Sequence, residues 1–143
     1  MRFRKIQMAI DRGLFEPEIC ELPVPPDSDE VQRMIVRCGG AISAEHLELI
    51  REWGGALLDQ IRIEDPSKVV VEDGHVLFAS DYNGFRFWYD EGGSVIAVDS
   101  DGGATQALAS SITEFIEEVL LGPRAAAFYG DEWLEELKRR RMA

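Results

Sequence analysis

The sequence predicts an α+β fold in a single domain, with two helices, an antiparallel β-meander of about four to six strands, and two C-terminal helices packed on the sheet. Three observations predict this fold. Stretches in which apolar residues recur with helical spacing lie on both sides of a central segment. The central segment, residues 61–98, instead holds short β-branched and aromatic runs separated by turn residues. The chain has 143 residues, the length of one ordinary domain.

Residues 1–26 are expected to form an N-terminal appendage to a domain that spans residues 27–143. Three apolar residues with helical spacing could form one face of a short helix here: Phe3, Ile6 and Ile10. Prolines then follow, and they keep the backbone of this stretch extended, so that it cannot be part of a helix of the main domain. They are Pro17, Pro23, Pro25 and Pro26. The prolines therefore place a boundary at the end of the appendage.

Two helices are predicted after this boundary. The first begins near Asp29 with Ser28 as its N-cap, and Gly39-Gly40 ends it. Its apolar residues are Val31, Met34, Ile35 and Cys38. The second begins at Ser43 and ends at Gly54-Gly55. Its buried residues are predicted to be Leu47, Ile50 and Trp53.

Five short runs with strand composition come next. They are Ile61 to Ile63, Val69 to Val71, Val76 to Ala79, Phe85 to Tyr89, and Val95 to Val98. The gaps contain Asp-Gly and Asn-Gly pairs, which favour tight hairpins. Because gaps this short cannot hold crossover helices, consecutive strands must pair antiparallel.

Two further helices are predicted at the C-terminus. The first opens with a capping box, Ser111 to Glu114, and Gly122-Pro123 ends it. Its apolar stripe is the most regular in the chain: Ile112, Phe115, Ile116, Val119 and Leu120. The second spans roughly 131–141 with Trp133, Leu134 and Leu137 facing inward. On its outer side, Glu135 with Arg139 and Glu136 with Arg140 have the spacing of ion pairs.

The charge of the chain excludes several classes of protein. It has 15 lysines and arginines against 27 acidic residues, a net charge of −12. Such a surface cannot neutralise a row of phosphates, which excludes a general nucleic-acid binder, and anionic membranes repel it. The sequence contains no apolar run of about 20 residues and no pattern typical of a signal peptide. Its two cysteines, Cys20 and Cys38, lack metal or disulfide spacing, so we expect a cytoplasmic protein.

The negative charge is concentrated in the middle of the chain. Residues 13–137 contain 7 basic and 26 acidic residues, a balance of −19, while both ends are basic. This pattern is typical either of an ordinary soluble acidic surface or of a surface that meets a basic partner.

The motif Asp99-Ser-Asp101-Gly after an apolar strand is the strongest candidate for a catalytic site. It resembles the nucleophile loop of haloacid-dehalogenase-type phosphatases. Those enzymes need a threonine next, where this chain has Gly103, and acidic residues on later strands, where we expect only helices. A calcium-binding loop is also excluded, because Gly103 interrupts the alternation of oxygen ligands that such a loop requires. We therefore interpret the motif as an acidic turn and predict no catalytic residue, no metal and no cofactor.

The two histidines do not suggest catalysis either. His46 lacks the i, i+4 histidine that a zinc-binding helix requires, and we expect it at an exposed helix position. His75 follows a turn and is expected in a strand. No Gly-x-Ser-x-Gly motif is present to supply a nucleophile.

The aromatic strand Phe85 to Tyr89 is more informative about binding. Alternation places Phe85, Phe87 and Tyr89 on one face, the core face, and Arg86 and Trp88 on the other. Trp88 then lies either under a helix or on an open face, where it could anchor a partner.

Four motifs follow one another in the chain: Leu47-Glu-Leu-Ile-Arg-Glu-Trp-Gly-Gly55, Phe78-Ala-Ser-Asp-Tyr-Asn-Gly-Phe85, Gly93-Ser-Val-Ile-Ala-Val-Asp99 and Ala109-Ser-Ser-Ile-Thr-Glu-Phe-Ile-Glu-Glu118. Their order and spacing resemble the SUKH superfamily, the SMI/KNR-type domain of bacterial immunity proteins and fungal cell-wall regulators. The resemblance covers roughly residues 28–121. Trp53 stands where the family frequently has asparagine.

The resemblance implies a non-enzymatic protein-binding domain. Bacterial members are often cytoplasmic immunity proteins that neutralise toxins, many of them nucleases, by direct binding. An acidic body fits a basic toxin domain as partner. We expect the contact to involve exposed residues around the central hairpin: Asp81, Tyr82, Arg86, Trp88, Asp90 and Glu91. The alternatives are an interaction or scaffold module unrelated to toxins and, more remotely, a small metal-dependent hydrolase.

Overall fold

A computed structural model describes residues 2–16, 18, 20–22 and 24–143. The helices are α1 (Arg4–Asp11), α2 (Ser28–Arg37), α3 (Ala44–Trp53), α4 (Ile112–Glu114), α5 (Ala126–Tyr129) and α6 (Asp131–Arg139). A 3₁₀ turn spans Pro66–Lys68, and a π-helix, Phe115–Leu120, continues α4. The strands are β1 (Cys20–Glu21), β2 (Leu57–Leu58), β3 (Ile61–Ile63), β4 (Val71–Glu72), β5 (His75–Asp81), β6 (Phe85–Tyr89), β7 (Val95–Asp99) and β8 (Thr105–Ala109). Pro17 and Pro23, on which the predicted boundary partly depends, lie outside the described residues.

The strands form one antiparallel sheet, which confirms the α+β single domain with a central meander. The order is β1-β2-β3-β5-β6-β7-β8, and β4 pairs beside β5. Each of the strands β5 to β8 pairs with the next one along the chain. The short gaps impose this order because they leave no room for a crossover.

One face of the sheet packs against the C-terminal helices. Phe78, Phe87 and Tyr89 on this face are buried. Phe115 from the π-helix places its ring centroid 5.8 Å from that of Phe78 and 5.1 Å from that of Phe87. The predicted apolar stripe of this helix is buried along its length, so the helix is the main cover of the sheet.

The helix ends follow the predicted signals closely. The Ser43 side chain caps α3 by accepting a hydrogen bond from the His46 amide. At α2 the cap is Asp27, one residue before the predicted Ser28, and it accepts from the Glu30 amide. Gly39 ends α2 with a φ of +61°, a left-handed conformation that favours glycine.

The prediction that residues 1–26 form an appendage is wrong for the first helix. Phe3, Ile6 and Ala9 are almost fully buried in the same core as the sheet, and Leu14 and Phe15 join them. The Lys5 ammonium donates to the Glu117 carbonyl, 2.6 Å away. Prolines after α1 prevent a continuous helix, but they do not prevent α1 from folding back on the core.

The expectation that only helices follow Asp101 is also wrong. Strand β8, Thr105–Ala109, pairs with β7 and ends the sheet. Its sequence, Thr-Gln-Ala-Leu-Ala, has little β-branched or aromatic character. The pairing with β7 supplies the stabilisation that local propensity does not.

Candidate functional site

The six predicted contact residues lie along β6 and at the turns on either side of it. Asp81 and Tyr82 lie at the turn between β5 and β6, whereas Asp90 and Glu91 lie at the turn between β6 and β7. Successive turns of a meander are at opposite ends of the sheet. With about 3.3 Å of rise per strand residue, the two turns are roughly 13 Å apart. The six residues therefore span both ends of β6, and their role as one contact surface stays a prediction.

Trp88 is not an exposed anchor. Its side chain is only 8% exposed, although it lies on the sheet face opposite the main core. It is paired with Leu77 on one side and Ile96 on the other, and cross-strand neighbours on one face cover each other. Tyr82, in contrast, is 72% exposed.

The sheet face around Trp88 carries a shallow groove. Its residues are Glu72, Asp73, His75, Trp88, Ile96 and Val98. Ile96 and Val98 are half-buried, and Glu72 and Asp73 are exposed. We call this surface the outer-face groove. It combines an apolar floor with two carboxylates, a composition suited to binding a protein side chain.

Most residues of the outer-face groove were missed in the sequence, although a signal for two of them exists. Alternation along Val95 to Val98 places Ile96 and Val98 on the face of Trp88 once β7 pairs with β6. Glu72 and Asp73 lie at the tight β4–β5 turn, which Asp73-Gly74 predicts, but no sequence signal shows that this turn lies beside Trp88 and Val98.

Asp81 shapes a turn instead of standing free at the surface. One of its carboxylate oxygens accepts the amide protons of Asn83 and Phe85, at 3.0 and 2.9 Å. Burial raises the pKa of Asp81, and these two hydrogen bonds act in the opposite direction. Asp90 similarly accepts from the Ser94 amide at 2.9 Å.

Asp99 and Asp101 lie in the turn that joins β7 to β8. The Asp99 side chain accepts from the Asp101 amide at 2.9 Å, and the Asp99 carbonyl accepts from the Gly103 amide at 2.8 Å. The motif thus has the hydrogen-bonding pattern of an acidic turn. Within the described ranges, no group of three metal-ligating side chains is found.

His46 is fully buried, so the predicted exposed position is wrong. Its Nδ1 lies 2.7 Å from the hydroxyl oxygen of Tyr89. The Ser43 amide donates to the same oxygen, so the Tyr89 hydroxyl links His46 to the start of α3. Burial lowers the pKa of His46 to about 3, and its Nε2 has no partner in the described structure.

His75, Cys38 and a small cleft complete the set of candidate groups. His75 begins β5, as predicted, and its Nδ1 is 3.0 Å from the Asp73 carbonyl. Cys38 is buried, and burial raises the pKa of its thiol. A second, small cleft is lined by Leu58, Asp59, Gln60, Ile61, Leu120, Tyr129 and Trp133. Burial and the Glu16 carboxylate raise the pKa of Asp59 in this cleft.

The comparisons with known proteins add no family to this description. No protein-family model matches the chain, and no curated protein or solved structure is significantly similar to it. In the described parts of the chain, no helix has the length and apolar character needed to span a bilayer.

Proposed function

We propose that this chain is a non-enzymatic protein-binding domain, and specifically a cytoplasmic immunity protein that neutralises a basic toxin domain, with nucleases as the leading candidates, by direct binding. The observation that carries the proposal is the outer-face groove, an apolar floor bordered by carboxylates on the sheet face opposite the main core. The resemblance of residues 28–121 to the SUKH superfamily supports the same class of function.

Charge and shape support different parts of this proposal. A net charge of −12 attracts a basic partner over a distance comparable to the Debye length, but it selects no particular partner. Selection requires a small apolar contact surrounded by polar groups, and the outer-face groove supplies one. A nuclease domain is basic where it holds phosphate, so an acidic protein bound there would also block its substrate.

The alternative with the next strongest support is an interaction module unrelated to toxins, which would use the same groove. The remote alternative, a metal-dependent hydrolase, depends on Asp99 and Asp101. Their turn hydrogen bonds favour a structural role. Magnesium-dependent hydrolysis of a phosphate ester by the wild type, lost on changing both residues to asparagine, would support the hydrolase and contradict our proposal.

The direct test is binding to a toxin domain encoded next to the gene for this chain. We expect the purified chain to bind that domain and to protect cells that express it. The variant Glu72→Lys with Val98→Lys changes the groove. Its matched control is Glu52→Lys with Val36→Lys, which makes the same charge change at exposed positions on α3 and α2.

We expect the groove variant to bind at least about tenfold more weakly than the control, since it replaces an apolar contact by a lysine and reverses a charge within the groove. Thermal melting shows whether each variant is folded. Equal affinity of the two folded variants would contradict the groove as the contact surface. Failure of the wild type to bind any neighbouring toxin would contradict the immunity function itself.

A further inference from the structure

Strand β8 is an edge strand without charge. It ends the sheet, and Thr105, Gln106 and Ala107 are exposed. No residue from Gly102 to Thr113 is charged, and this is the longest uncharged stretch in a chain with 29% charged residues. Proteins usually protect an exposed edge with lysine, proline or an inward-pointing charge. Strand β8 has none of these, so its edge is open to pairing.

The hydrogen bonds of β8 show which of its backbone groups are free to pair. The Ala104 carbonyl accepts from the Asp99 amide at 2.9 Å, so Ala104 faces β7. In an antiparallel pair the backbone groups of successive residues point alternately toward and away from the partner strand. The amide and carbonyl groups of Thr105 and Ala107 therefore point away from the sheet. Leu108 is the extra residue of a bulge between the Ala107 and Ala109 pairs, and it ends the regular edge.

We propose that β8 pairs antiparallel with β8 of a second copy of this chain, forming a twofold dimer with one continuous sheet. A twofold axis at Gln106 places Thr105 of each copy opposite Ala107 of the other. Both residues have outward-pointing backbone groups, so each of the two pairs exchanges two hydrogen bonds. The edge is thus complementary to itself, which a symmetric dimer requires.

The charge distribution favours a second copy at this edge. Two chains of net charge −12 repel each other, and most possible contacts would bring carboxylates together. The stretch 102–113 allows contact without facing carboxylates, because the acidic residues Asp101 and Glu114 lie outside it. The row of paired outer-face residues, Leu77, Trp88, Ile96 and Ala107, also continues across the axis onto the second copy.

The dimer is tested by sedimentation velocity of the full chain from micromolar to millimolar concentration. We expect a concentration-dependent dimer that strengthens as salt is added, because salt screens the repulsion between the two acidic chains. Ala107→Pro removes an outward-pointing amide without removing a bond to β7, a position where edge strands tolerate proline. In the proposed dimer the Ala107 amide of each copy donates one hydrogen bond to the other copy, so the variant loses two bonds. Its dissociation constant should rise about tenfold.

Ala107→Glu is the second variant, and Gln32→Glu on α2 is its matched control, since both add one negative charge at an exposed position. Ala107→Glu should also weaken the dimer, and Gln32→Glu should leave it within a factor of about two of the wild type. Hydrogen exchange gives a readout without mutation: the amides of Thr105 and Ala107 should become protected as wild-type protein concentration rises. A wild type that stays monomeric at every concentration, or a dimer unchanged by both Ala107 variants, would overturn the proposal.

Discussion

His46 is a residue whose environment makes the stability of the whole domain depend on pH. It is buried beside Phe78 and Tyr89, with ring centroids 6.2 and 5.2 Å from its own. Protonation would place a positive charge in this apolar surrounding, which explains why burial lowers its pKa to about 3. The unfolded chain exposes His46 to water, where the pKa is 6.5.

The pKa difference gives a prediction with a definite sign. Between pH 6.5 and about 3 the unfolded state binds a proton at His46 that the folded state does not, so this residue makes stability fall as pH decreases. Above pH 6.5 the effect is absent. In this range, each unit of falling pH should lower the free energy of unfolding of the wild type by about 1.4 kcal/mol more than that of His46→Gln, which cannot titrate at this position.

The measurement is urea denaturation of both proteins at a series of pH values. The glutamine side chain is chosen because its amide group can either donate to the Tyr89 hydroxyl or accept from it. His75→Gln, in the outer-face groove, is measured in parallel as a control for the change of side chain. Identical pH dependence of the wild type and His46→Gln would show that His46 is accessible to protons in the folded state.

The element that most changes the predicted domain boundary is α1. It lies against the π-helix, where the Lys5 ammonium donates a hydrogen bond to the Glu117 carbonyl. At its start, Arg2 contacts Glu45 at 3.5 Å and Glu48 at 3.1 Å, which ties the N-terminus to α3. Its inner face is buried in the common core. These contacts make α1 a structural part of the domain.

We therefore expect Ile6→Ala in α1 to destabilise the protein on the same scale as a substitution in the central core. Ile6 is fully buried, and truncation of such a side chain costs about 2–5 kcal/mol. Phe115→Ala in the π-helix should cost about 3–5 kcal/mol. The free energies of unfolding are measured by urea denaturation.

Gln7→Ala, at an exposed position of the same helix, is the matched control and should change stability by about 0.5 kcal/mol or less. If Ile6→Ala were as mild as Gln7→Ala, α1 would contribute little to stability and the first 26 residues would act as an appendage after all.

In the folded molecule, the basic residues from the two ends of the chain lie close together. The two basic ends meet: Arg12 donates to the carbonyls of Arg140 and Arg141 at 3.1 and 2.8 Å, and Arg140 donates to the Arg12 carbonyl at 3.0 Å. The predicted pair Glu136–Arg140 forms at 3.0 Å, whereas Glu135 pairs with Lys138 and Arg139 with Glu136. Basic groups therefore gather at the α1–α6 side of a strongly acidic protein.

Salt should affect the two proposed associations of this molecule in opposite directions. Attraction between the acidic chain and a basic toxin domain weakens when salt screens it, so the association rate should fall as salt rises. Stopped-flow mixing measures that rate. Asp90→Asn with Glu91→Gln should lower the rate modestly, because steering is diffuse and each charge contributes a small part. An association rate unchanged between low and high salt would remove the electrostatic part of the proposal.

The sequence by itself determined the features that depend on neighbouring residues. Helical periodicity, the caps and the Gly-Gly ends located α2 and α3, and the short gaps determined that β5 to β7 pair antiparallel. The capping box and the stripe from Ile112 to Leu120 identified the helix that covers the sheet. These signals are local, because hydrogen bonds within one helix or across one tight turn join residues close in the chain.

Only the tertiary structure decided which faces are buried and which residues meet. It buried His46, covered Trp88 with its cross-strand neighbours, brought α1 into the core and added β8 to the sheet. It also separated the predicted contact residues to opposite ends of the meander and assembled the outer-face groove from β4, β5, β6 and β7. Burial is a property of contacts between segments distant in the chain, so one amphipathic pattern is compatible with several partners until the chain is packed.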